Sequence, residues 1–200
     1  IDTSPNYGKF YAEKSLKTLL KNDREKYFIA SKFGLEFDDK KKTFSKKIKL
    51  DRNYIIQSLD KTLKNLGVKY LDLYQIHSYN YNTKHVSEID ILLQLKKEKK
   101  ILNIGCVNFN YEQIKRYEKK KNNKFFDYVQ VHYNFFERQA EKKIIPYCIK
   151  YKKKIIVNRI FGSGIFVKRN NKYKNKRLFL SERLLKKYKL HKKKILFFFN

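Results

Sequence analysis

The sequence predicts a parallel α/β fold on the basis of two observations. Short apolar runs of strand length alternate with segments whose apolar residues recur every three or four positions. The connections between most of these segments are short, so each predicted helix can return the chain to the start of a neighbouring parallel strand. No linker interrupts the 200 residues, and we therefore expect a single domain over residues 1–200.

The first half of the chain contains two predicted helices and two complete predicted strands. Apolar residues at helical spacing predict a helix over residues 11–21, and an apolar run predicts a short buried strand over residues 26–30. The lysine-rich residues 34–50 have no periodicity and predict a surface loop. A helix over residues 51–67 begins at an aspartate and ends at a glycine, and residues 70–76 form the next strand.

The second half continues the same alternation of helix and strand. The predicted helices cover residues 87–98, 111–119 and 138–151, with two helical pieces over 181–199. The predicted strands cover residues 101–107, 128–132 and 155–157. Each of these three strands follows one of the helices, which is the order that a parallel sheet requires.

The formal charge of +30 raises the question of nucleic-acid binding. The cations are overwhelmingly lysine, whereas arginine is the side chain that reads base edges and holds phosphates through two hydrogen bonds. The abundant residue types (Lys, Asn, Ile, Tyr, Phe) are products of AT-rich codons, and the scarce ones (Gly, Ala, Pro, Arg) are products of GC-rich codons. An AT-rich coding bias therefore explains the charge without a specific nucleic-acid partner. A basic polyanion-binding protein stays the third hypothesis, which the spread of lysine over every predicted helix disfavours.

Membrane, disulfide and metal sites are not expected. No apolar run approaches the roughly 18 residues that span a bilayer, and the N-terminal residues do not resemble a signal peptide. Cys106 and Cys148 are isolated, which predicts reduced, buried thiols and a cytoplasmic location. His85, His132 and His191 have no ligand spacing, so we expect no metal site.

Four chemically different side chains lie at or just beyond predicted strand ends. Asp2 and Tyr7 follow the tip of a strand at Ile1, Lys32 follows the strand over 26–30, and His77 follows the strand over 70–76. Parallel α/β enzymes collect their catalytic groups at this edge of the sheet. Each residue also has a structural interpretation on its own: a turn aspartate, a solvated lysine, a surface tyrosine or a buried histidine with satisfied hydrogen bonds.

The three motifs around these side chains resemble the aldo-keto reductases. They are Asp-Thr-x-x-x-Tyr-Gly, Ser-Lys-Phe-Gly and Leu-Asp-Leu-Tyr-x-Ile-His, and they occur in that order. The resemblance implies that Tyr7 is the general acid/base and that Lys32 is the cation that favours its phenolate. It further implies that Asp2 is the ion-pair partner of Lys32, and that His77 orients the substrate or relays the proton. A nearby cation is what a phenol with a pKa near 10 needs for acid–base work at neutral pH.

Two further segments resemble the family's nicotinamide-binding positions. Asn108 matches the asparagine of the family's Gly-x-Ser-Asn-Phe segment, whereas Val107 stands at the serine position and loses one hydrogen bond. Gln130 matches the glutamine that binds the same carboxamide. The structural alternative is that Asn108 is a loop cap and Gln130 is a polar strand residue with satisfied hydrogen bonds.

The segment after the last predicted strand resembles the family's pyrophosphate loop. Gly162, Ser163 and Gly164 form a Gly-x-Gly sequence, which permits close approach of the backbone to a phosphate. The aromatic residue that often stacks on nicotinamide is replaced by Asn158 or Arg159. Arg159 is expected to reach the cofactor phosphates instead.

The resemblance implies a (β/α)8 TIM-type barrel, which typically needs about 250 residues. The visible strands correspond to the second through the seventh, so we expect an incomplete barrel whose first and eighth strands are missing. A chain that begins with Ile and contains no Met is expected to be a fragment. The resemblance implies an NADP- or NAD-dependent oxidoreductase that interconverts a small carbonyl compound, sugars included, and its alcohol. An inactive truncated fragment is the alternative.

Overall fold

The computed structural model describes residues 1–79 and 88–162. The helices are α1 (Tyr11–Asp23), α2 (Arg52–Leu66), α3 (Glu88–Lys97), α4 (Tyr111–Glu118) and α5 (Ile144–Lys150). The strands are β1 (Ala30–Phe33), β2 (Leu35–Asp38), β3 (Thr43–Ile48), β4 (Leu71–Ile76), β5 (Ile101–Val107), β6 (Tyr128–His132) and β7 (Lys154–Asn158). Among the described helices none is long and apolar enough to cross a membrane.

Five of the strands form one parallel sheet in the order β1-β4-β5-β6-β7, which confirms the predicted α/β class. The N-terminal segment joins the outer edge of β1 through a parallel bridge between Asp2 and Ala30. The register places Lys32 beside Gln75, and Gln75 beside Gly105. Lys32 and Gln75, on neighbouring strands, therefore lie near the same carboxyl-terminal edge of the sheet.

The sheet has two buried faces of different character. The main apolar core lies between one face and the helices, and it includes Ile55 and Leu59 of α2 and Leu92 of α3. The opposite face carries a small cluster in which Leu73 and Tyr128 pack together. Because side chains alternate along a strand, the polar residues that follow this small cluster by two positions lie on the same inner face.

Helix α2 confirms the helix predicted over residues 51–67 to within one residue at each end. The Asp51 carboxylate accepts a hydrogen bond from the Tyr54 N–H at 3.0 Å, which satisfies one of the free amides of the first turn. Gly67 ends the helix with a φ of 68°, a left-handed conformation that glycine adopts without a steric penalty.

The loop predicted over residues 34–50 is wrong, because the structure forms an antiparallel hairpin of β2 and β3 there. Phe37 and Phe44 contact each other across the hairpin with ring centroids 5.0 Å apart, and both contact Phe10. Lysines surround these two phenylalanines in the sequence, so no alternation of apolar and polar residues indicates the two strands. The hairpin is stabilised by packing against a residue that lies more than twenty positions earlier in the chain.

Two other predicted elements are shifted. The strand expected over residues 26–30 begins only at Ala30, since Arg24–Lys26 form a short 3-10 turn. The helix expected over residues 138–151 is shorter, because α5 begins at Ile144 and is preceded by a 3-10 turn. Pro146 explains the late start, since proline is tolerated in the first turn of a helix but not in its interior. The helical pieces expected over 181–199 lie outside the described residues.

Candidate active site

The Lys32 side chain forms the centre of a buried polar cluster at the end of β1. Its Nζ donates hydrogen bonds to the Asp2 carboxylate at 2.7 Å, the Thr3 carbonyl at 3.0 Å and the Tyr7 hydroxyl at 3.1 Å. An ammonium group has three N–H donors, so these three acceptors use all of them. Lys32 is only 1% exposed, and its charge is therefore held in place rather than solvated.

The turn between the Asp2 bridge and α1 brings Tyr7 to this lysine. The Tyr7 N–H donates to the Ser4 carbonyl at 3.0 Å, and Gly8 takes a left-handed φ of 60°. The Tyr7 ring centroid lies 4.8 Å from Lys32 Nζ, while the residue as a whole is 40% exposed. The Tyr7 hydroxyl therefore accepts a hydrogen bond from a buried cation, while part of the tyrosine ring is open to solvent. A small molecule in solution can reach a group placed in this way.

His77 follows β4 and is held by its backbone N–H, which donates to the Phe33 carbonyl at 2.9 Å. Burial, together with the positive charge of Lys32 and against the opposing Asp2 carboxylate, lowers the pKa of His77 to about 4. The imidazole is therefore neutral at pH 7, with one donor and one acceptor nitrogen. Because Phe33 directly follows Lys32, the backbone hydrogen bond places His77 next to the end of β1 that carries Lys32.

Gln130 contacts the same cluster from β6. Its Nε2 donates to the second carboxylate oxygen of Asp2 at 3.1 Å. Its Oε1 is buried and has no hydrogen-bond partner among the described residues, and Gln130 is 2% exposed. The side chain therefore uses its donor on the ion pair and keeps its acceptor available.

Asn108 lies beside Gln130 and belongs to a second group of amides. Its N–H donates to the Gln130 carbonyl at 2.8 Å, and its side-chain oxygen accepts from Asn158 Nδ2 at 3.4 Å. The other end of the Asn158 amide contacts His132 Nδ1. Sequence reasoning missed this His132–Asn158 contact, which depends on the register between β6 and β7. Asn158, rather than an aromatic ring, is the side chain that meets Asn108.

The segment after β7 is described only in part. Gly162 has a left-handed φ of 53° and its N–H donates to the Arg159 carbonyl at 2.9 Å. The Arg159 guanidinium lies 3.9 Å from the Glu137 carboxylate, so it is not part of the Lys32 cluster. Ser163 and Gly164 lie outside the described residues.

Gln75 is a residue that sequence reasoning passed over. It is 0% exposed near the carboxyl end of β4, and neither its Oε1 nor its Nε2 has a hydrogen-bond partner among the described residues. Its sequence signal is weak, because one glutamine within an apolar strand forms no motif. The register that places it next to Lys32 is visible only in the folded sheet.

The described residues contain no group of three His, Cys, Asp or Glu side chains placed to hold a metal ion. The groups that do converge are a buried ammonium, a carboxylate, a phenol, a neutral imidazole and several amides. Such a set can move a proton at the phenol and hydrogen-bond a polar ligand.

The chain is similar to known proteins over most of its length. The family model described as "Aldo/keto reductase family" matches residues 1–197. The chain is 28% identical over 165 residues to the aldo-keto reductase YhdN of Bacillus subtilis (strain 168), which covers 82% of this chain and 47% of that protein. It is also 28% identical over 158 residues to the NADH-specific methylglyoxal reductase of Escherichia coli (strain K12), with coverage of 74% and 48%. The chain thus spans about half the length of these two curated relatives.

A solved structure shows the same fold. The aldo-keto reductase AKR11C1 from Bacillus halodurans, in its holo form, is 24% identical and aligns with a TM-score of 0.75 over 84% of this chain and 55% of that one. Together with the family match, this likeness confirms that the five-stranded sheet belongs to a (β/α)8-type barrel.

Proposed function

Because the chain belongs to the aldo/keto reductase family, we propose that it forms the catalytic site of an NAD(P)-dependent oxidoreductase that interconverts a small aldehyde or ketone, sugars included, and its alcohol. The single observation that carries this proposal is the contact of the Lys32 ammonium with both the Tyr7 hydroxyl and the Asp2 carboxylate. The chain spans about half of its curated relatives, so the proposal concerns the site that these residues form.

In this proposal Tyr7 is the general acid of carbonyl reduction. Its hydroxyl gives a proton to the carbonyl oxygen, and a phenolate is left beside the Lys32 ammonium at 3.1 Å. The cation favours that phenolate, and Asp2 keeps the cation in position. In the reverse direction the phenolate accepts the alcohol proton, so one residue serves both directions.

We propose that His77 hydrogen-bonds the substrate oxygen. Its ring is neutral at pH 7 because burial and the Lys32 charge lower its pKa to about 4. A neutral imidazole donates one hydrogen bond without adding a second positive charge next to Lys32. That donor would hold the carbonyl oxygen near Tyr7.

We further propose that Asn108 and Gln130 hold the carboxamide of NADP or NAD. The cofactor supplies the hydride that the carbonyl carbon accepts. The fit is supported by the buried Gln130 Oε1, which accepts no hydrogen bond from the described part of the chain and could accept one from an amide N–H. The two glycines and Ser163 of the segment 162–164 are proposed for the pyrophosphate. The similar Escherichia coli protein is named for NADH, so we propose NAD as well as NADP as the cofactor of this site.

A cytoplasmic location is part of the same proposal. Cys106 and Cys148 are both buried free thiols. Burial raises the pKa of both thiols, which makes them unreactive structural residues. Such cysteines suit a reducing compartment.

The test is the Tyr7→Phe variant, with Tyr11→Phe as the matched control because Tyr11 is a highly exposed tyrosine on α1. Oxidation of NADH and NADPH is followed with a panel of aldehydes, and cofactor affinity is measured separately by fluorescence quenching. We expect Tyr7→Phe to reduce turnover by about 10²–10⁴-fold, while the dissociation constant of the cofactor stays unchanged. If Tyr7→Phe turns over as fast as Tyr11→Phe, Tyr7 is not the general acid.

A further inference from the structure

The inner face of the sheet carries a polar layer directly beyond its small apolar cluster. Leu73 of β4 and Tyr128 of β6 pack against each other on this face. Two residues further along the same parallel strands are Gln75 and Gln130, whose side chains point to the same side. Alternate strands of a barrel contribute to one layer, so these two glutamines are layer neighbours. Asp2 completes the layer through its hydrogen bond from Gln130.

The donors and acceptors of this layer do not balance within the described protein. Lys32 has given all three of its N–H groups to Asp2, Thr3 and Tyr7. No hydrogen-bond partner among the described residues reaches Gln75 Nε2, Gln75 Oε1 or Gln130 Oε1. The layer therefore holds an amide donor and two amide oxygens that are buried and have no partner within residues 1–79 and 88–162.

Gly105 shows where the Gln75 side chain lies. A Cβ added to Gly105 would come within 3.0 Å of Gln75 Cγ and 3.2 Å of Gln75 Oε1. The Gln75 side chain thus crosses over the β5 backbone, on the path from β4 towards β6 and Gln130. The absence of a side chain at Gly105 provides the space for this crossing.

We infer that this layer binds at least one internal water molecule between Gln75 and Gln130. The water accepts a hydrogen bond from Gln75 Nε2 and donates one to Gln130 Oε1, since buried amides are paired with protein or with ordered water. The carboxamide proposed above uses the second lone pair of Gln130 Oε1. The hydrogen bond from this water to Gln130 Oε1 also holds the Gln130 amide in the orientation in which its Nε2 donates to Asp2. The hydrogen-bond chain from Tyr7 through Lys32, Asp2 and Gln130 then continues into the barrel.

A high-resolution crystal structure of the 200-residue chain tests this inference directly. We expect an ordered water within about 2.7–3.2 Å of both Gln75 Nε2 and Gln130 Oε1. A direct hydrogen bond between the two glutamines, with no water between them, would overturn the inference. The test needs neither cofactor nor turnover, so its outcome is separate from that of the proposed reductase activity.

Oxygen-17 magnetic relaxation dispersion provides the test in solution, because it counts water molecules with long residence times. Gln75→Met keeps the length of the side chain and removes its hydrogen-bonding groups. We expect this variant to lose at least one long-lived water, whereas Gln57→Met, on the exposed face of α2, retains the count of the unmodified protein. An unchanged count in a folded Gln75→Met protein would contradict the inference, and the crystal structure decides the matter if that variant does not fold.

Discussion

A single titrating side chain, His77, gives the site its own dependence on pH. Its pKa is lowered to about 4 in the folded protein, chiefly by burial, whereas the unfolded chain has a value near 6.5. Between these two pH values the unfolded state binds more protons than the folded state. The free energy of unfolding therefore rises with pH through this window, and the contribution is complete above pH 6.5 and lost as the pH falls to about 4.

We expect the His77→Gln variant to lose this dependence. The contribution of His77 to the free energy of unfolding is at most about 3 kcal/mol between pH 4 and 7. Urea unfolding at several pH values, compared between the unmodified protein and the variant, measures it. His132→Gln is the control, since it replaces a histidine on the same face of the sheet. An equal pH dependence in His77→Gln and the unmodified protein would contradict a lowered His77 pKa.

At the residue scale, the sequence predicted which polar side chains meet where each of them lies at or just beyond the end of a strand. Asp2, Tyr7 and Lys32 could be identified because polar groups at strand ends form recognisable motifs, and the structure brings all three together. The place of Gln75 beside Lys32 and the contact of Asn158 with His132 could not be predicted in this way. The position of each depends on the register of a neighbouring strand, and no local sequence pattern records that register.

At the scale of elements, a buried ion pair joins the end of α4 to the start of β7. The Lys153 ammonium lies 2.7 Å from the Glu118 carboxylate, and both side chains are almost completely buried. Glu118 also accepts hydrogen bonds from the backbone N–H groups of Phe125 and Phe126, while Lys153 donates to the Phe126 carbonyl at 2.7 Å. Every charge in this junction therefore has partners, which is the condition under which a buried pair is tolerated.

We expect Lys153→Met to be strongly destabilising, because it leaves the Glu118 carboxylate buried without its cation. Breaking such a pair typically costs about 3–5 kcal/mol. Lys124→Met removes an exposed lysine from the same region and should change the free energy of unfolding by less than about 0.5 kcal/mol. Chemical denaturation of both variants measures the difference. Similar stabilities for the two variants would mean that Glu118 is satisfied without Lys153.

Elements were predictable from sequence where their signals are local. Helix α2 has an aspartate at its start and a glycine at its end, and both ends could be placed from these residues alone. The β2–β3 hairpin has no such signal. Phe37 and Phe44 of the hairpin pack against Phe10, which belongs to a different part of the chain. This stabilising contact cannot be recognised from residues 34–50 alone.

For the whole molecule, the formal charge of +30 is a source of self-repulsion. The described ion pairs involve only a small part of the lysines, and most of them lie on the surface, where each contributes little. Salt screens repulsion between exposed charges more than it weakens buried contacts. The molecule as a whole should therefore be less stable in dilute buffer than in salt.

We expect the Tm to rise with sodium chloride between low ionic strength and about 0.5 M, where the screening length is only a few ångströms. A gain of about 1 kcal/mol corresponds to about 2–4 °C for a chain of this size. Replacement of the exposed residues Lys119, Lys120 and Lys121 by glutamine should raise the Tm in dilute buffer and reduce the effect of salt. A Tm that falls with salt would show that favourable ion pairs outweigh the repulsion.

The contact between Gly105 and Gln75 has a consequence for how this sheet can change by mutation. A methyl group at position 105 would lie 3.0 Å from the side chains of both Gln75 and Leu73, which is tighter than most contacts between real side chains. Any larger residue there therefore requires the Gln75 and Leu73 side chains to shift. A shorter residue at position 75 removes only one of these two contacts, and it also removes the amide from the layer that contains Asp2. A larger residue at position 105 is therefore expected in descendants of this sequence only together with changes at positions 75 and 73.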